Sequence, residues 1–222
     1  MEIDPESLPV DRRYALMIGA IVPRPIAVVG TCDAAGRPNL APFSFFTGVG
    51  SEPMGLVVSV ANPPGGAGEK DTLRNAKPEA EGGTGAFSVS VATEANVARV
   101  VACAAARAHG ESDIALAGRT PVPGRRVRAP RPAESPVTFE CVTQQVVRMA
   151  PGVPGASNLL IGRVVFIHVR DDLVDDRLRI DPVRLAAVGR MGGMDYCTTR
   201  ERASIPSGRA ALAHDVRWSR AD

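Results

Sequence analysis

Apolar and polar positions along the chain change over short runs of β-branched residues more often than they repeat at helical spacing. Residues 26–31, Ile-Ala-Val-Val-Gly-Thr, form such a run, launched by Pro23-Arg24-Pro25, whose two prolines hold Arg24 extended. A turn at Asp33-Ala34-Ala35-Gly36 leads to a second strand over 38–46, predicted to pair with the first as a hairpin, and 56–61 makes a third. Three strands without a helix between them argue against a doubly wound parallel sheet. After the Pro-Gly loop 63–68, residues 71–77 read as a short helix, 86–91 alternate as a strand, and 94–107 are Ala-rich and helix-prone. Five Pro and five Arg over 118–136 predict irregular chain; two long strands follow at 137–149 and 157–169, then a helical turn at 181–185. The residues from Gly208 onward show no strong pattern and read as a loose tail. The order predicts a mainly β protein with helical insertions, an antiparallel barrel, as one domain over 1–206 with a C-terminal tail over 207–222.

Composition narrows the classes of partner. Among 222 residues there are 24 Arg but only 2 Lys, against 24 Asp plus Glu, for a formal net charge of +2. That balance gives no electrostatic case for nucleic acid or a membrane surface. With 45% apolar residues the chain can bury a sizeable core without disulfide or metal staples, as one large domain or two small ones. Glu2, Asp4, Glu6, Asp11, Arg12 and Arg13 leave no apolar signal core near the start, so the expected location is the cytoplasm. Cys32, Cys103, Cys141 and Cys197 stand alone and read as small buried apolar residues.

Several candidate chemistries fail on spacing. In Gly65-Gly-Ala-Gly-Glu-Lys70-Asp-Thr72 a phosphate-loop Lys would need Gly before it and Ser or Thr after it, and Glu69 and Asp71 stand there instead. A Gly-rich turn followed by Lys and Thr remains an anion-site candidate. His109, His168 and His214 lie too far apart to suggest zinc, so no metal is expected. Asp171, Asp172, Asp175 and Asp176 lack the Gly and terminal Glu of a calcium loop, and no Gly-x-Ser-x-Gly elbow supports a serine hydrolase.

Read in order, several segments carry a common signature: Pro23 to Ala27, Asn39 to Phe46, Lys70-Asp-Thr72 with Asn75, Ala117-Gly118 with Thr120 to Pro123, and Glu134-Ser-Pro136 with Glu140-Cys141. Further on come Ile161-Gly162, His168 to Leu173, Ile180-Asp-Pro182, and Val188 to Gly193 with Tyr196. In this order, from about Pro9 to about Pro206, the chain resembles the flavin reductase-like family of FMN-binding split-barrel proteins, which includes the reductase components of two-component monooxygenases. Val28 and Gly30 stand where family members more often carry Trp and Ser, which implies a roomier, less rigid wall. The segment 111–115 is less acidic and aromatic than the usual pattern.

The resemblance implies a Greek-key split β-barrel, a homodimer, and FMN near the dimer interface, reduced by NADH or NADPH. It places Thr31, Asn39, Leu40, Ala41, Pro42, Ser44 and Phe45 along the flavin ring system, where a strand edge can read the ring's acceptor–donor–acceptor pattern. Lys70 and Thr72 would serve the phosphate, Asp71 a cap or the ribityl chain, and Ser59 is a further candidate. His168, Tyr196 and Arg24 are the candidates beside the second substrate. Hydride transfer to a flavin needs no protein nucleophile, so most of these residues are expected to bind. The implied activity is an NAD(P)H-dependent reductase supplying reduced FMN to a partner oxygenase. Alternatives are an FMN-dependent oxidase or oxygenase with its own small substrate, and a non-catalytic FMN electron carrier.

Overall fold

The computed structural model describes residues 1–66, 68–104, 114 and 118–221. The expected helix beyond residue 104, most of the 111–115 segment, His109 and Ala117 lie outside the described residues. The strands are β1 (Arg24–Pro25), β2 (Ala27–Cys32), β3 (Pro38–Phe43), β4 (Phe46–Ser51), β5 (Met54–Ala61), β6 (Ala86–Val91) and β7 (Pro121–Val122). They continue as β8 (Arg131–Pro132), β9 (Val137–Arg148), β10 (Ser157–Val169), β11 (Val188–Arg190), β12 (Tyr196–Thr198), β13 (Glu201–Arg202) and β14 (Ser219–Arg220). The α-helices are α1 (Val10–Ala20), α2 (Asp71–Ala76), α3 (Val97–Ala102) and α4 (Pro182–Leu185).

A seven-stranded antiparallel sheet runs in the order β3-β2-β6-β9-β10-β5-β4. Its two outermost strands, β3 and β4, are consecutive in sequence and separated only by Ser44 and Phe45. A two-residue link cannot cross seven strands, so the sheet curls until its ends meet at those residues, where the Ser59 N–H donates to the Phe45 carbonyl at 2.8 Å. β3 and β4 do not pair, and the barrel stays split along that line. The predicted 38–46 strand is therefore two strands broken at Ser44-Phe45, and β4 is an element the apolar pattern did not show.

Alternation places two cores on the two faces of β2. Ala27 and Val29 point into the barrel with Val58, Val60, Leu73, Phe87, Val89, Cys141 and Leu160. Ile26 and Val28 point outward into a second cluster with Leu40, Ala92, Val100 and Cys103, against which Tyr196 packs. Phe87 fills the barrel centre, where full burial of such a ring contributes about 3 kcal/mol. Gly162 makes room for it, because a Cβ there would stand 2.4 Å from the Phe87 ring. Cys32, Cys103 and Cys141 are buried and Cys197 is half-buried. Burial, with the Glu140 charge beside it, pushes the Cys141 thiol up to about 12.

Gly30 is not the roomier wall that its substitution for Ser implied. A Cβ there would meet the Pro130 carbonyl oxygen at 2.2 Å and Ser88 Oγ at 2.5 Å, so loop 119–133 fills the space. That loop is tied down from below. Glu140, with no exposed surface, accepts the backbone N–H groups of Arg125 (2.6 Å), Arg126 (2.6 Å) and Val127 (3.1 Å). Most residues of 207–221 are exposed, but they include a 3-10 turn at Gly208–Ala213 and β14, which returns to pair with β13.

Candidate functional site

β3 has β2 on one side and a free edge on the other. Pro38 and Pro42 are alternate residues of one set and have no N–H to give to β2. Their set, which includes Leu40, is thus the one directed at the free edge, with the Leu40 N–H between flanking carbonyls. Ala41 pairs with Val29 on the other set and is half-buried.

At the N-terminal end of β3 the side chains form a polar cluster. Thr31 lies opposite Asn39 in the β2–β3 register, and the Asn39 amide donates to Thr31 Oγ1 and Thr72 Oγ1, both at 3.3 Å. The Asn75 amide, from the same face of α2 as Thr72, donates to Thr31 Oγ1 at 3.2 Å. Lys70 stands at the N-cap of α2. The two lysines differ sharply: Lys77 Nζ is paired with Glu69 at 2.7 Å, whereas the Lys70 ammonium has neither a hydrogen bond nor an ion pair among the described residues. Lys70 is exposed, yet loss of hydration over its stem pushes its ammonium below the ordinary lysine value. Burial would raise the Glu69 carboxyl, but Lys77 and Arg148 together hold it below its usual value, so it stays an anion committed to those two cations. Asp71 is turned to Arg74, three residues on.

The opposite end of β3 is built on a buried cation. Arg24 is 3% exposed and spends its guanidinium on the Ile18 carbonyl (2.7 Å), the Ile21 carbonyl (2.8 Å), the Met191 carbonyl (2.9 Å) and Ser44 Oγ (3.3 Å). It thereby caps the C-terminal end of α1 and lies 5.6 Å from the Phe45 ring centroid. Phe45 meets Tyr14 of α1 edge to face at 6.5 Å. Arg24, expected beside the second substrate, is instead a buried strut that fixes Ser44 and Phe45.

Beside this strut lies a cavity of about 330 Å³, lined among the described residues by Tyr14, Pro42, Phe43, Ser44, Arg190 and Tyr196, with the second core beneath it. The sheet β1-β11-β12 positions its far wall, with Arg24 opposite Arg190 and Arg190 opposite Tyr196. The remaining two candidates sit elsewhere. Ser59 bonds Ser157 on the neighbouring strand β10. His168, near the end of β10, meets Glu140 at 2.5 Å and packs against Phe166 at 4.8 Å, so its partners are structural.

The structure therefore gathers Thr31, Asn39, Thr72 and Lys70 at one end of β3, and Pro42, Ser44, Phe45 and Tyr196 at the other. A family model of the flavin reductase like domain matches residues 18–184. The chain belongs to the flavin reductase-like family. Its fold is similar to component B of nitrilotriacetate monooxygenase from Bacillus cereus, with a TM-score of 0.84 and 33% identity over 92% of this chain and 98% of that one. It is also similar to 2-nitrobenzoate 2-nitroreductase of Pseudomonas fluorescens, with a TM-score of 0.82 and 27% identity over 94% and 97% of the two chains. A relative in Halalkalibacterium halodurans, an uncharacterized protein, is 40% identical over 197 residues, 88% of this chain and 91% of its own length. In this flavin reductase-like chain, Tyr14, Asn75 and Arg190 join the site without having been singled out for it. Both stand in segments that carry the resemblance, Asn75 three residues after Thr72 on the same helical face and Arg190 within Val188 to Gly193, but the place of Arg190 beside Tyr196 depends on pairing between distant short strands.

Proposed function

We propose that the chain binds FMN along the free edge of β3 and works as an NAD(P)H-dependent flavin reductase that passes reduced FMN to a partner oxygenase. The observation that carries the reading is the unpartnered Lys70, set beside the Asn39–Thr72–Thr31 cluster at one end of a strand whose other end opens on a cavity. From Asn39 to Ser44 the backbone advances five residues, roughly 17 Å at about 3.4 Å each, the reach of a tricyclic ring joined to a phosphate through a short chain. A cation without a counterion suits the phosphate; the Leu40 N–H and its flanking carbonyls suit the pyrimidine edge of the ring.

FMN, when bound, would supply the two-electron chemistry between a nicotinamide and an acceptor. The protein's part is to bind and orient. Lys70 and Thr72 hold the phosphate end, and Asn39 and Asn75 keep the Thr72 and Thr31 hydroxyls aimed. Arg24 keeps Ser44 and Phe45 at the ring end, and Tyr196 and Tyr14 wall the place where a second planar ring would lie. Asp71, turned to Arg74, supports α2 without placing a second anion against the phosphate. Ser59 and His168 have their partners on β10 and β9, and in this reading they stabilise the barrel.

A second copy of the chain completes the site. None of the eleven residues of α1 is buried, and Val10, Tyr14, Leu16 and Met17 are exposed together, although a helix this short does not persist in water without packing. The β4 edge adds exposed Val49. A homodimer covering α1 and β4 would bury both next to Phe45. A second reading, reduction of a small substrate on the same flavin, is favoured by the roomy cavity beside Ser44 and by the likeness to a nitroreductase.

The test is to mix the protein anaerobically with FMN and with NADH or NADPH and follow the flavin's visible absorbance. Bleaching with either nucleotide, at a rate that a partner oxygenase or ferricyanide can draw on, supports the reductase. Stoichiometric FMN binding without bleaching by either nucleotide would overturn it in favour of the carrier. Light scattering should give the mass of a dimer.

A further inference from the structure

Two arginines face each other in the β1-β11 register, and they are used in opposite ways. Arg24 is buried and its donors are spent on three carbonyls and a hydroxyl. Arg190 donates one bond, from Nη2 to the Gly193 carbonyl at 2.5 Å, and is paired with no carboxylate among the described residues. Its guanidinium carbon lies over the Tyr196 ring, 4.4 Å from the centroid. Stacking of that kind holds the planar fork in one orientation while leaving its edge donors open. The fork and the ring line the same cavity, whose volume of about 330 Å³ falls in the range of small-molecule sites and whose other walls include Tyr14, Ile26, Pro42, Ser44 and Val100. Apolar walls, two phenol rings and one oriented cation without a counterion describe a particular kind of guest: a flat ring that carries an anionic group.

We propose that Arg190, held by Tyr196, is the specificity anchor for an anionic, planar organic ligand in this cavity. The anion is the carboxylate of an aromatic acid or the phosphate of a nicotinamide nucleotide; both meet the fork edge-on, as two parallel charge-assisted bonds. The inference rests on the flavin-binding reading for what the ligand does there, and on the cavity alone for whether it binds.

The test is calorimetric titration of the protein, with FMN added to saturation and again without FMN, using benzoate against benzamide and nicotinamide mononucleotide against nicotinamide riboside. Arg190→Gln, which keeps a polar side chain of similar length, is compared with wild type, and thermal melting confirms that it folds. In wild type the anionic member of at least one pair should bind about tenfold or more tighter than its neutral counterpart, and Arg190→Gln should bring that ratio to about one. Which pair shows the preference identifies the source of the anion. Arg190→Lys, which keeps the charge but not the guanidinium over Tyr196, should recover only part of the ratio. Equal binding of anionic and neutral members in wild type, or a preference that survives Arg190→Gln, overturns the proposal. FMN affinity is measured on both proteins in parallel: loss of the flavin-binding reading would show as absent FMN binding in wild type, whatever the benzoate result.

Discussion

The two ends of β3 solve opposite electrostatic problems with the same residue types. At the Ser44 end a cation is buried and every hydrogen bond it makes is to neutral oxygen, so Arg24 acts as a rigid pin between α1, the 191 carbonyl and the Ser44-Phe45 break. At the Asn39 end the hydroxyls and amides satisfy one another while the cation, Lys70, is left over. Arg24 is satisfied from within the protein, whereas the Lys70 ammonium has no partner among the described residues. The same contrast separates Lys77 from Lys70, seven residues apart on the ends of one short helix.

Breaking the pin should have the largest effect. Arg24→Ala leaves the partly buried carbonyls of Ile18, Ile21 and Met191 without their donor and empties a buried side-chain site, and should cost on the order of 3 kcal/mol, read as a shift of the urea midpoint. Glu140→Gln probes a buried charge that belongs to neither end. It removes the charge from three backbone N–H bonds and from His168, for a loss of about 2 kcal/mol, and should leave the relative affinities for flavin ligands unchanged. Burial alone would raise the Glu140 carboxyl, but His168 and the N–H groups of residues 125–127 hold it below its ordinary value of 4.5. Because the folded value is the lower one, this stabilisation is full above the unfolded value and drains away as the pH falls through the folded one. Urea midpoints measured from pH 6 down to pH 3 should fall less steeply in Glu140→Gln than in wild type. Thr72→Val is the mildest change: it removes one acceptor for the Asn39 amide and one donor for a phosphate, and should weaken FMN by about 1 kcal/mol, roughly fivefold, without moving the urea midpoint by as much.

Elements whose side chains face their own core were legible in the sequence. β6 and β10 fall on the predicted residues, and α2 ends one residue early, because alternating Ala-Phe-Ser-Val and the Thr72-Asn75-Ala76 face report burial directly. Missed elements face away from that core. α1 has no fully buried residue and touches its own chain lightly, through Tyr14 on Phe45 and half-buried Ile18, so its stripe of Val10, Tyr14, Met17 and Ile18 does not report that core, and β4 carries Gly48 and Gly50 among exposed residues. The polar cluster at the Asn39 end was legible because Asn39, Thr31 and Thr72 meet through side chains. The ring end was not: Arg24 is held by backbone carbonyls that any residue would supply, and Gly30 was read as an opening when the Pro130 carbonyl closes it. His168 was read toward a substrate because its partner Glu140 is a neighbour only across the β9–β10 pairing.

The central claim is that a phosphate sits at Lys70 while the ring lies toward Ser44. Fluorescence titration of wild type and Lys70→Ala with FMN and with riboflavin, which lacks the phosphate, tests it most directly. Wild type should prefer FMN, and Lys70→Ala should weaken FMN by about tenfold to a hundredfold while leaving riboflavin within about twofold. Equal losses for both ligands, or an FMN preference untouched by the substitution, would contradict the placement.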